Sequence, residues 1–355
     1  MPKKSTAVGL DIGSNIIKIA ELQRVGNAVE LKQYGISSLP FGSLENGAIK
    51  DSKVVSETIR SLMNELGIKT KEAVIAVAGQ TVIVRLIKFP FMSRVELTEA
   101  LKWEAERYIP YPVEEASYDF EIINQDKESN EIEIILVATH KELIMSHVKC
   151  LNEAGLQPTA IDIQPFALMR SLGLEQEEQQ GSVGLLDIGA GTTDLTIVKK
   201  GIPQFTRIIP LAGSRLTESV RKLLDFSFEE AEKVKIMHSN ALFELNNATP
   251  GSIEYSVNFA ILEGLREMVM ELHRSFDYYR LQQRNEQISK LIIVGGGSKM
   301  RNLPQYLTRE LEMEVVTVKA NNLIKCNEHN LYSFTNSLPT VSVALGLSLR
   351  EVINE

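Results

Sequence analysis

The stretch LLDIGAGTTDLTIV at residues 185–198 sets one aspartate among small residues, between two apolar runs. A closely similar stretch, GLDIGSNIIKIAEL, lies at residues 9–22, about half a chain length earlier. In both stretches the apolar run ends at an Asp-x-Gly turn, and a second strand-like run follows the turn. Two such turns at matching places predict that the chain is a duplicated α/β domain.

The composition is that of an ordinary globular protein and argues against several functional classes. The chain has 355 residues, of which 44% are hydrophobic and 24% charged, and its formal net charge is −8. This length predicts two domains or one large two-lobed unit, and the acidic balance disfavours nucleic acid as a partner. The two cysteines and five histidines form no metal-binding spacing. We expect His140 and His147, two turns apart on a predicted helix, to lie on its solvated face.

The sequence carries no pattern of membrane insertion. The opening MPKKSTAVGLDIG runs directly into a strand, without the features of a signal peptide. The longest apolar segment, residues 73–92, alternates like β-strands and contains Arg85 and Lys88, whereas a membrane span needs about 20 mostly apolar residues. We therefore expect a cytoplasmic protein that associates with a membrane only through other proteins.

Each half of the chain is predicted to carry its own inserted subdomain. The first half contains a set of elements that has no counterpart in the second. These elements are two strands, a helix preceded by Ser93, a strand pair joined by DKESN and a helix ended by Gly155. In the second half, long helical segments follow the repeat, and the polar stretch GLEQEEQQGS at 173–182 is expected to connect the halves. The predicted boundaries are 1–72, 160–180 and 335–355 for the first-lobe core, 73–159 for its small α+β insertion, 181–220 and 286–334 for the second-lobe core, and 221–285 for a helix-rich subdomain.

The small residues of the two turns are suited to holding a phosphate chain. Glycine lets backbone N–H groups crowd an anion without a Cβ in the way. A carboxylate beside phosphate requires a cation between them, and Mg²⁺ uses one or two carboxylates together with phosphate oxygens and waters. Asp11 and Asp187 are therefore the predicted Mg²⁺ residues, and Lys18 can reach the β- and γ-phosphates. The alternative is two ordinary tight hairpins, but the duplication and a third turn, GGGS at 295–298, favour the phosphate site.

Five stretches resemble the motifs of the actin, Hsp70 and sugar-kinase superfamily of two-lobed ATPases, and they follow one another along the chain in the order of that superfamily. They are LDIGSNIIK (10–18) and LLDIGAGTTDLTIV (185–198) for the phosphate loops, IDIQPFALMRSL (161–172) and LPTVSVALGLSLR (338–350) for the connecting helices, and LIIVGGGSKMRNLP (291–304) for the adenosine loop. The resemblance covers nearly the whole chain. It implies a duplicated actin-like (ribonuclease H-like) α/β fold that binds ATP with Mg²⁺.

Within that superfamily the chain is most similar to the PilM family of type IV pilus assembly proteins, relatives of the division protein FtsA. The segment LKWEAERYIPYPVEEASYDFEI (101–122) resembles the PilM form of an insertion that FtsA also carries in its first lobe. The chain stops at LREVINE, without the membrane-targeting helix of FtsA. The resemblance implies a cytoplasmic ATP-binding protein, peripheral to the inner membrane, that takes the cytoplasmic N-terminal segment of a PilN-like membrane protein in a groove beside the insertion. Other pilus platform or motor proteins and a second copy of the chain are further candidate partners.

The resemblance also implies which residues bind the nucleotide, with Asp11 and Asp187 on Mg²⁺ and its waters. Those expected on the phosphates are Gly13, Ser14, Asn15 and Lys18 from one side and Gly189, Gly191, Thr192 and Thr193 from the other. Those expected on the adenosine are Glu232, Lys235 and Ser239, together with Gly296, Gly297 and Ser298, which also flank the α-phosphate. Gln164 stands where the superfamily places the catalytic polar residue that positions the attacking water. Relatives carry glutamate there, so the sequence leaves ATP hydrolysis open.

Two other functions stay open at this point. A small-molecule kinase of the sugar or acetate type would need a general-base aspartate beside a polar pocket in the first half. That region instead carries KFPFMSRVEL at 88–97, which is apolar rather than sugar-binding. An FtsA-like division protein that forms filaments would share the fold, and pelleting with ATP would reveal it.

Overall fold

The fold is described from a computed structural model that covers residues 6–174, 181–245, 249–283, 286–319, 323–327 and 331–353. Most of the predicted connection at 173–182 lies outside these residues. The described chain is organised around two large sheets, and each sheet contains one copy of the Asp-x-Gly repeat. The duplicated two-lobed fold predicted from the sequence is confirmed.

The first lobe is built on a six-stranded mixed sheet. Its strands are β1 (Thr6–Ile12), β2 (Ile16–Val25), β3 (Ala28–Ser38), β6 (Glu72–Val77), β10 (Gln157–Ile163) and β16 (Ile324–Lys325), in the order β10-β6-β1-β2-β3-β16. β1, β2 and β3 form an antiparallel meander, while β6 runs parallel to both β1 and β10. A short hairpin of β4 (Leu44–Glu45) and β5 (Ala48–Ile49) follows the meander.

Helices cover both faces of this sheet, which explains why β1 is an uninterrupted apolar run rather than an alternating one. α1 (Ser52–Glu65) and α3 (Lys141–Ala154) pack on one face, and α4 (Gln164–Ser171) and α9 (Leu331–Ile353) pack on the other. Gly155, in the left-handed conformation with φ 82°, ends α3 as predicted. His147 of α3 is buried rather than solvated, and its burial lowers the pKa of the imidazole.

The second lobe repeats the arrangement on a five-stranded sheet. Its strands are β11 (Ser182–Ile188), β12 (Thr193–Lys199), β13 (Ile202–Ile209), β14 (Ile288–Val294) and β15 (Glu314–Thr317), in the order β13-β12-β11-β14-β15. Its helices are α5 (Gly213–Leu224), α6 (Phe228–His238), α7 (Ile253–Gln282) and α8 (Leu303–Leu311). α5, α6 and α7 pack on one another and form the helix-rich part of this lobe.

The insertion in the first lobe has its own sheet and its own core. Its elements are β7 (Ile83–Pro90), α2 (Arg94–Glu104), β8 (Ala116–Asp126) and β9 (Glu131–His140), with sheet order β7-β9-β8. Ser93 caps α2 as the sequence predicts. Its hydroxyl accepts a hydrogen bond from the Glu96 N–H at 3.3 Å, and the Glu96 carboxylate accepts one from the Ser93 N–H at 2.8 Å.

Strand and helix pairing corrects four of the predicted boundaries. β6 pairs with β1 and α3 packs against α1, so both elements belong to the first lobe rather than to an insertion over 73–159. α5 packs with α6 and α7, so the helix-rich part begins before residue 221. β16 pairs with β3, so the chain has returned to the first lobe before residue 335. All four corrections have the same cause, because an apolar strand or helix has the same local sequence pattern whichever subdomain it joins.

The two helices at the base of the cleft, α4 and α9, touch through their backbones. A Cβ on Gly346 of α9 would lie 1.7 Å from the Ala167 carbonyl oxygen of α4. Beside this contact the buried carboxylate of Asp162 forms ion pairs with Arg170 at 3.2 Å and with Arg350 at 3.0 Å. Glycine at 346 is therefore required by close approach, and the charges join β10, α4 and α9.

Candidate functional site

The two Asp-x-Gly turns have the same backbone geometry. The Gly13 N–H donates to the Ile16 carbonyl at 3.0 Å, and the Gly189 N–H donates to the Thr192 carbonyl at 3.0 Å. Strand register is also the same in both lobes, since Asp11 pairs with Lys18 and Asp187 pairs with Asp194. Lys18 and Asp194 therefore occupy equivalent places in the duplicated fold.

The turns face each other across the gap between the lobes. A Cβ on Gly191 would lie 2.6 Å from the Ser14 hydroxyl oxygen, so the tips of the turns are in contact. Further along the gap, the Asn15 amide nitrogen lies 3.5 Å from the Ser214 hydroxyl of α5. The turns thus form opposite walls of one cleft, and a side chain at Gly191 would obstruct it.

Lys18 lies close to the aspartates of both Asp-x-Gly turns in this cleft. The Lys18 ammonium is 2.9 Å from the Asp11 carboxylate, and both side chains are largely buried. Lys18 also crosses over Gly13, where a Cβ would lie 2.7 Å from its ammonium nitrogen. The side chains of Asp187 and Asp194 come from the facing lobe, which leaves an excess of negative charge at the centre of the cleft.

This excess changes the acidity of the second-lobe carboxyls. Burial raises the pKa of Asp187 to about 6, with a further rise from Asp11 that the charge of Lys18 opposes. Burial also raises the pKa of Asp194 to about 7, helped by the charge of Asp187 and opposed by the hydrogen bond from Thr192 at 2.9 Å. A cation in the cleft would offset this repulsion. Among the described residues, no three His, Cys, Asp or Glu side chains are grouped to hold a metal by themselves, so a bound ion would need other oxygen ligands.

Asp194 lies beside Asp187 and was not named from the sequence, whereas the Thr193 hydroxyl, which was expected on the phosphates, bonds within the protein. The Thr193 side chain is fully buried, and its hydroxyl donates to the Leu211 carbonyl at 2.6 Å on the face of β12 away from the cleft. Neighbouring strand residues point to opposite faces, so Asp194 takes the cleft side. The signal was present in the sequence, because the repeat aligns Asp194 with Lys18.

The GGGS turn packs directly against Asp187. Gly295 has φ 84°, and a Cβ there would lie 2.3 Å from the Asp187 carboxylate. Gly296 is exposed, with open space where a side chain would be, whereas Gly297 contacts Ile188. The Ser298 hydroxyl is buried and donates to the Gly295 carbonyl at 2.7 Å. Ser298 thus fixes the turn, and Gly296 is the member of the predicted trio with an open face.

The predicted residues of α6 lie behind the second turn. The Lys235 ammonium donates to the Gly213 carbonyl at 3.0 Å, the Thr217 hydroxyl at 2.7 Å and the Glu232 carboxylate at 2.7 Å. Burial lowers the pKa of Lys235, and the charge of Glu232 opposes that change. The Gly213 N–H in turn donates to the Gly189 carbonyl at 3.0 Å, so this network supports the turn. Ser239 is buried at the end of α6.

Gln164 is the first residue of α4, immediately after β10. β10, β6 and β1 are parallel, so the carboxyl ends of these strands share one edge of the sheet. Gln164 therefore lies at the same edge as Asp11, with β6 between them. Gln164 thus lies at the cleft end of the first lobe.

A duplicated two-lobed α/β fold, with paired Asp-x-Gly turns facing one cleft, defines an actin-like protein. The chain superimposes on a solved PilM–PilN type IV pilus biogenesis complex with a TM-score of 0.86 and 29% identity, covering 99% of both chains. The model of the family described as type IV pilus assembly protein PilM matches residues 9–352. The chain belongs to this family.

More distant relatives show the wider fold. MreB5 of Spiroplasma citri, solved bound to ADP, superimposes with a TM-score of 0.53 at 14% identity, covering 100% of both chains. The cell division protein FtsA of Bacillus subtilis (strain 168) is 25% identical over 261 residues, which cover 67% of this chain and 59% of that relative. The chain thus spans about three-fifths of the length of this FtsA. No helix among the residues covered by the structure is long and apolar enough to cross a membrane.

Proposed function

We propose that the chain is a nucleotide-controlled pilus assembly protein, which binds Mg-ATP between its two turns and holds the N-terminal segment of a PilN-like membrane protein. The observation that carries the nucleotide part is the proximity of Lys18 to Asp11 and Asp187, with Asp194 beside Asp187, between two turns of equal geometry. The raised pKa values of the buried Asp187 and Asp194 carboxyls suit a site that is completed by a cation.

The residues present fit such a ligand. Asp11, Asp187 and Asp194 would hold Mg²⁺ through its waters, and the tips of the turns would face the phosphates. When bound, Mg²⁺ would neutralise phosphate charge. Lys18 would divide its charge between Asp11 and the phosphates, while Gly296 leaves room for the base or the α-phosphate. The network around Lys235 would keep the second turn in place.

Thermal unfolding of an Asp187→Ala variant tests the nucleotide site. Wild-type protein should gain stability with ATP only when Mg²⁺ is present, by about 2.7 kcal/mol at ligand 100-fold above Kd. Asp187→Ala should lose this gain, while Asp277→Ala, an exposed carboxylate on α7, should keep it. An equal Mg-ATP effect in wild type and Asp187→Ala would exclude this site.

The partner part is supported by the PilM–PilN complex, which is similar to this chain over nearly its whole length. The insertion meets the first lobe through an apolar cluster that contains Val84, Ile135 and Leu143. Ile123 and Phe166 are only partly buried at this junction, so they leave apolar surface for an extended peptide. Phe166 lies on α4, two residues after Gln164, which connects the junction physically to the nucleotide cleft.

Calorimetry with the N-terminal peptide of a PilN-like protein from the same genome tests this groove. Ile123→Asp should weaken peptide binding at least tenfold, because it places a charge against apolar surface. Val95→Asp is the matched control, since Val95 is exposed on α2 of the same insertion. Equal binding by wild type and Ile123→Asp would place the peptide elsewhere. The similarity to the cell division protein FtsA makes a division protein the second candidate, and ATP-dependent pelleting would test whether the chain forms filaments.

A further inference from the structure

Two phenylalanines from different lobes stack over the outer part of the gap. The rings of Phe41 and Phe228 have centroids 4.3 Å apart at an interplanar angle of 31°. Phe41 lies between β3 and β4 of the first lobe, and Phe228 is the first residue of α6 in the second. Phe41 is nevertheless 63% exposed, so it is not a core residue of its own lobe. The aromatic partner of this exposed ring, Phe228, belongs to the opposite lobe.

The stack lies on the same gap as the nucleotide cleft. The Leu39 N–H donates to the Asn15 carbonyl at 2.8 Å, so the segment that carries Phe41 begins beside the first turn. On the other lobe, Phe228 lies on the helix whose Lys235 supports the second turn, about 10 Å along the helix axis at 1.5 Å per residue. The stack of Phe41 on Phe228 is thus a further contact between the two lobes, in addition to the contact between the tips of the two turns.

Phe41 is presented by a turn with a defined shape. The Ser43 hydroxyl donates to the Pro40 carbonyl at 2.8 Å, and Gly42 between them has φ 86°. The Lys50 N–H then donates to the Ser43 carbonyl at 2.9 Å, which ties the turn to the chain after β5. Because the turn is fixed to the first lobe, separating the lobes would pull the ring of Phe41 away from Phe228.

We infer that the Phe41–Phe228 stack is the outer closing contact of the cleft and slows the release of bound nucleotide. The inference rests on the proposed function, because it requires nucleotide between the turns. Nucleotide can leave only when the lobes part, and parting breaks the stack. Loss of an aromatic pair of this kind changes an equilibrium or rate constant by about two- to twelvefold, and here that constant is the rate of nucleotide release.

Displacement kinetics of a fluorescent ATP analogue test the inference. With Mg²⁺ present, excess ATP should release the analogue about two- to twelvefold faster from Phe41→Ala and from Phe228→Ala than from wild type. The double variant should release it no faster than either single variant, because the two changes remove the same contact. Phe41→Tyr, which keeps an aromatic ring, should restore slow release.

Phe259→Ala is the matched control. Phe259 is an exposed phenylalanine of the second lobe that stacks on Tyr255 of its own helix, so its removal should leave the release rate unchanged. Wild-type release rates in Phe41→Ala and Phe228→Ala, or additive effects in the double variant, would overturn the inference and leave the proposed function standing. If wild type bound no displaceable analogue, the proposed function would fail and the inference with it.

Discussion

Replacing Asp194 by asparagine should stabilise the nucleotide-free protein, although Asp194 lies in the proposed site. In the fold its pKa rises from 3.8 to about 7, so the ionised carboxylate is disfavoured by the fold. Each unit of pKa difference corresponds to about 1.4 kcal/mol, which sets an upper limit of about 4 kcal/mol on the cost. Since Asp194 is partly accessible and shares its repulsion with Asp187, we expect Asp194→Asn to gain about 1–3 kcal/mol at pH 8. Asparagine retains an oxygen that can accept the hydrogen bond from Thr192.

The gain should depend on pH in a defined direction. A carboxyl whose pKa is raised by folding costs nothing while it is protonated in both states, below about pH 4. The cost then develops as the pH rises and is complete once the pH has passed about 7, the pKa of Asp194 in the fold. The difference in free energy of unfolding between Asp194→Asn and wild type should therefore be less than half as large at pH 5 as at pH 8.

Urea unfolding at pH 5, 6, 7 and 8, with EDTA and without nucleotide, measures this difference. Asp277→Asn, at an exposed carboxylate paired with Arg280, is the control and should differ from wild type by a constant small amount. The reasoning is refuted if Asp194→Asn is no more stable than wild type at pH 8. It is equally refuted if the gain is the same at pH 5 and pH 8.

Two further substitutions test the packing that supports the cleft. Gly346→Ala should lower the free energy of unfolding by more than about 3 kcal/mol, because its methyl group would overlap the Ala167 carbonyl. Gly296→Ala is the control and should leave the free energy of unfolding nearly unchanged, because its methyl group would occupy open space. Equal effects of the two substitutions in urea unfolding would contradict the close approach of α4 and α9. Thr193→Val should cost about 1–3 kcal/mol by leaving a buried carbonyl without its donor, and should leave Mg-ATP affinity within about twofold of wild type. A large loss of affinity with unchanged stability would instead put the Thr193 hydroxyl on the ligand.

Local sequence patterns predicted much of the fold. The duplicated turns, the Ser93 cap and the Gly155 terminus follow from chemistry within a few residues, and all are present in the structure. Boundaries were less predictable, because β6 and the strands of the insertion have similar apolar patterns and differ only in their long-range partners. The burial of His147 escaped prediction for the same reason, since its surroundings come from tertiary packing.

The candidate site was predictable where it depends on the repeat and less so where it depends on side-chain direction. The proximity of Asp11, Lys18 and Asp187 could be expected because each stands at a defined place relative to an Asp-x-Gly turn. The expectation for Thr193 did not take account of the alternation of side chains along β12, in which Asp194 pairs with Asp187 and Thr193 points to the opposite face. The stack between Phe41 and Phe228 belongs to no motif, because it joins segments from different lobes.

The central claim is that nucleotide in the cleft controls partner binding, and reciprocal calorimetry tests it most directly. The N-terminal peptide of the PilN-like protein is titrated into the chain with and without Mg-ATP, and Mg-ATP is titrated with and without the peptide. We predict that each ligand changes the affinity of the other by the same factor, about fivefold or more, and that Asp187→Ala abolishes the effect while still binding peptide. Equal peptide affinities with and without Mg-ATP, at saturating nucleotide, would contradict the account.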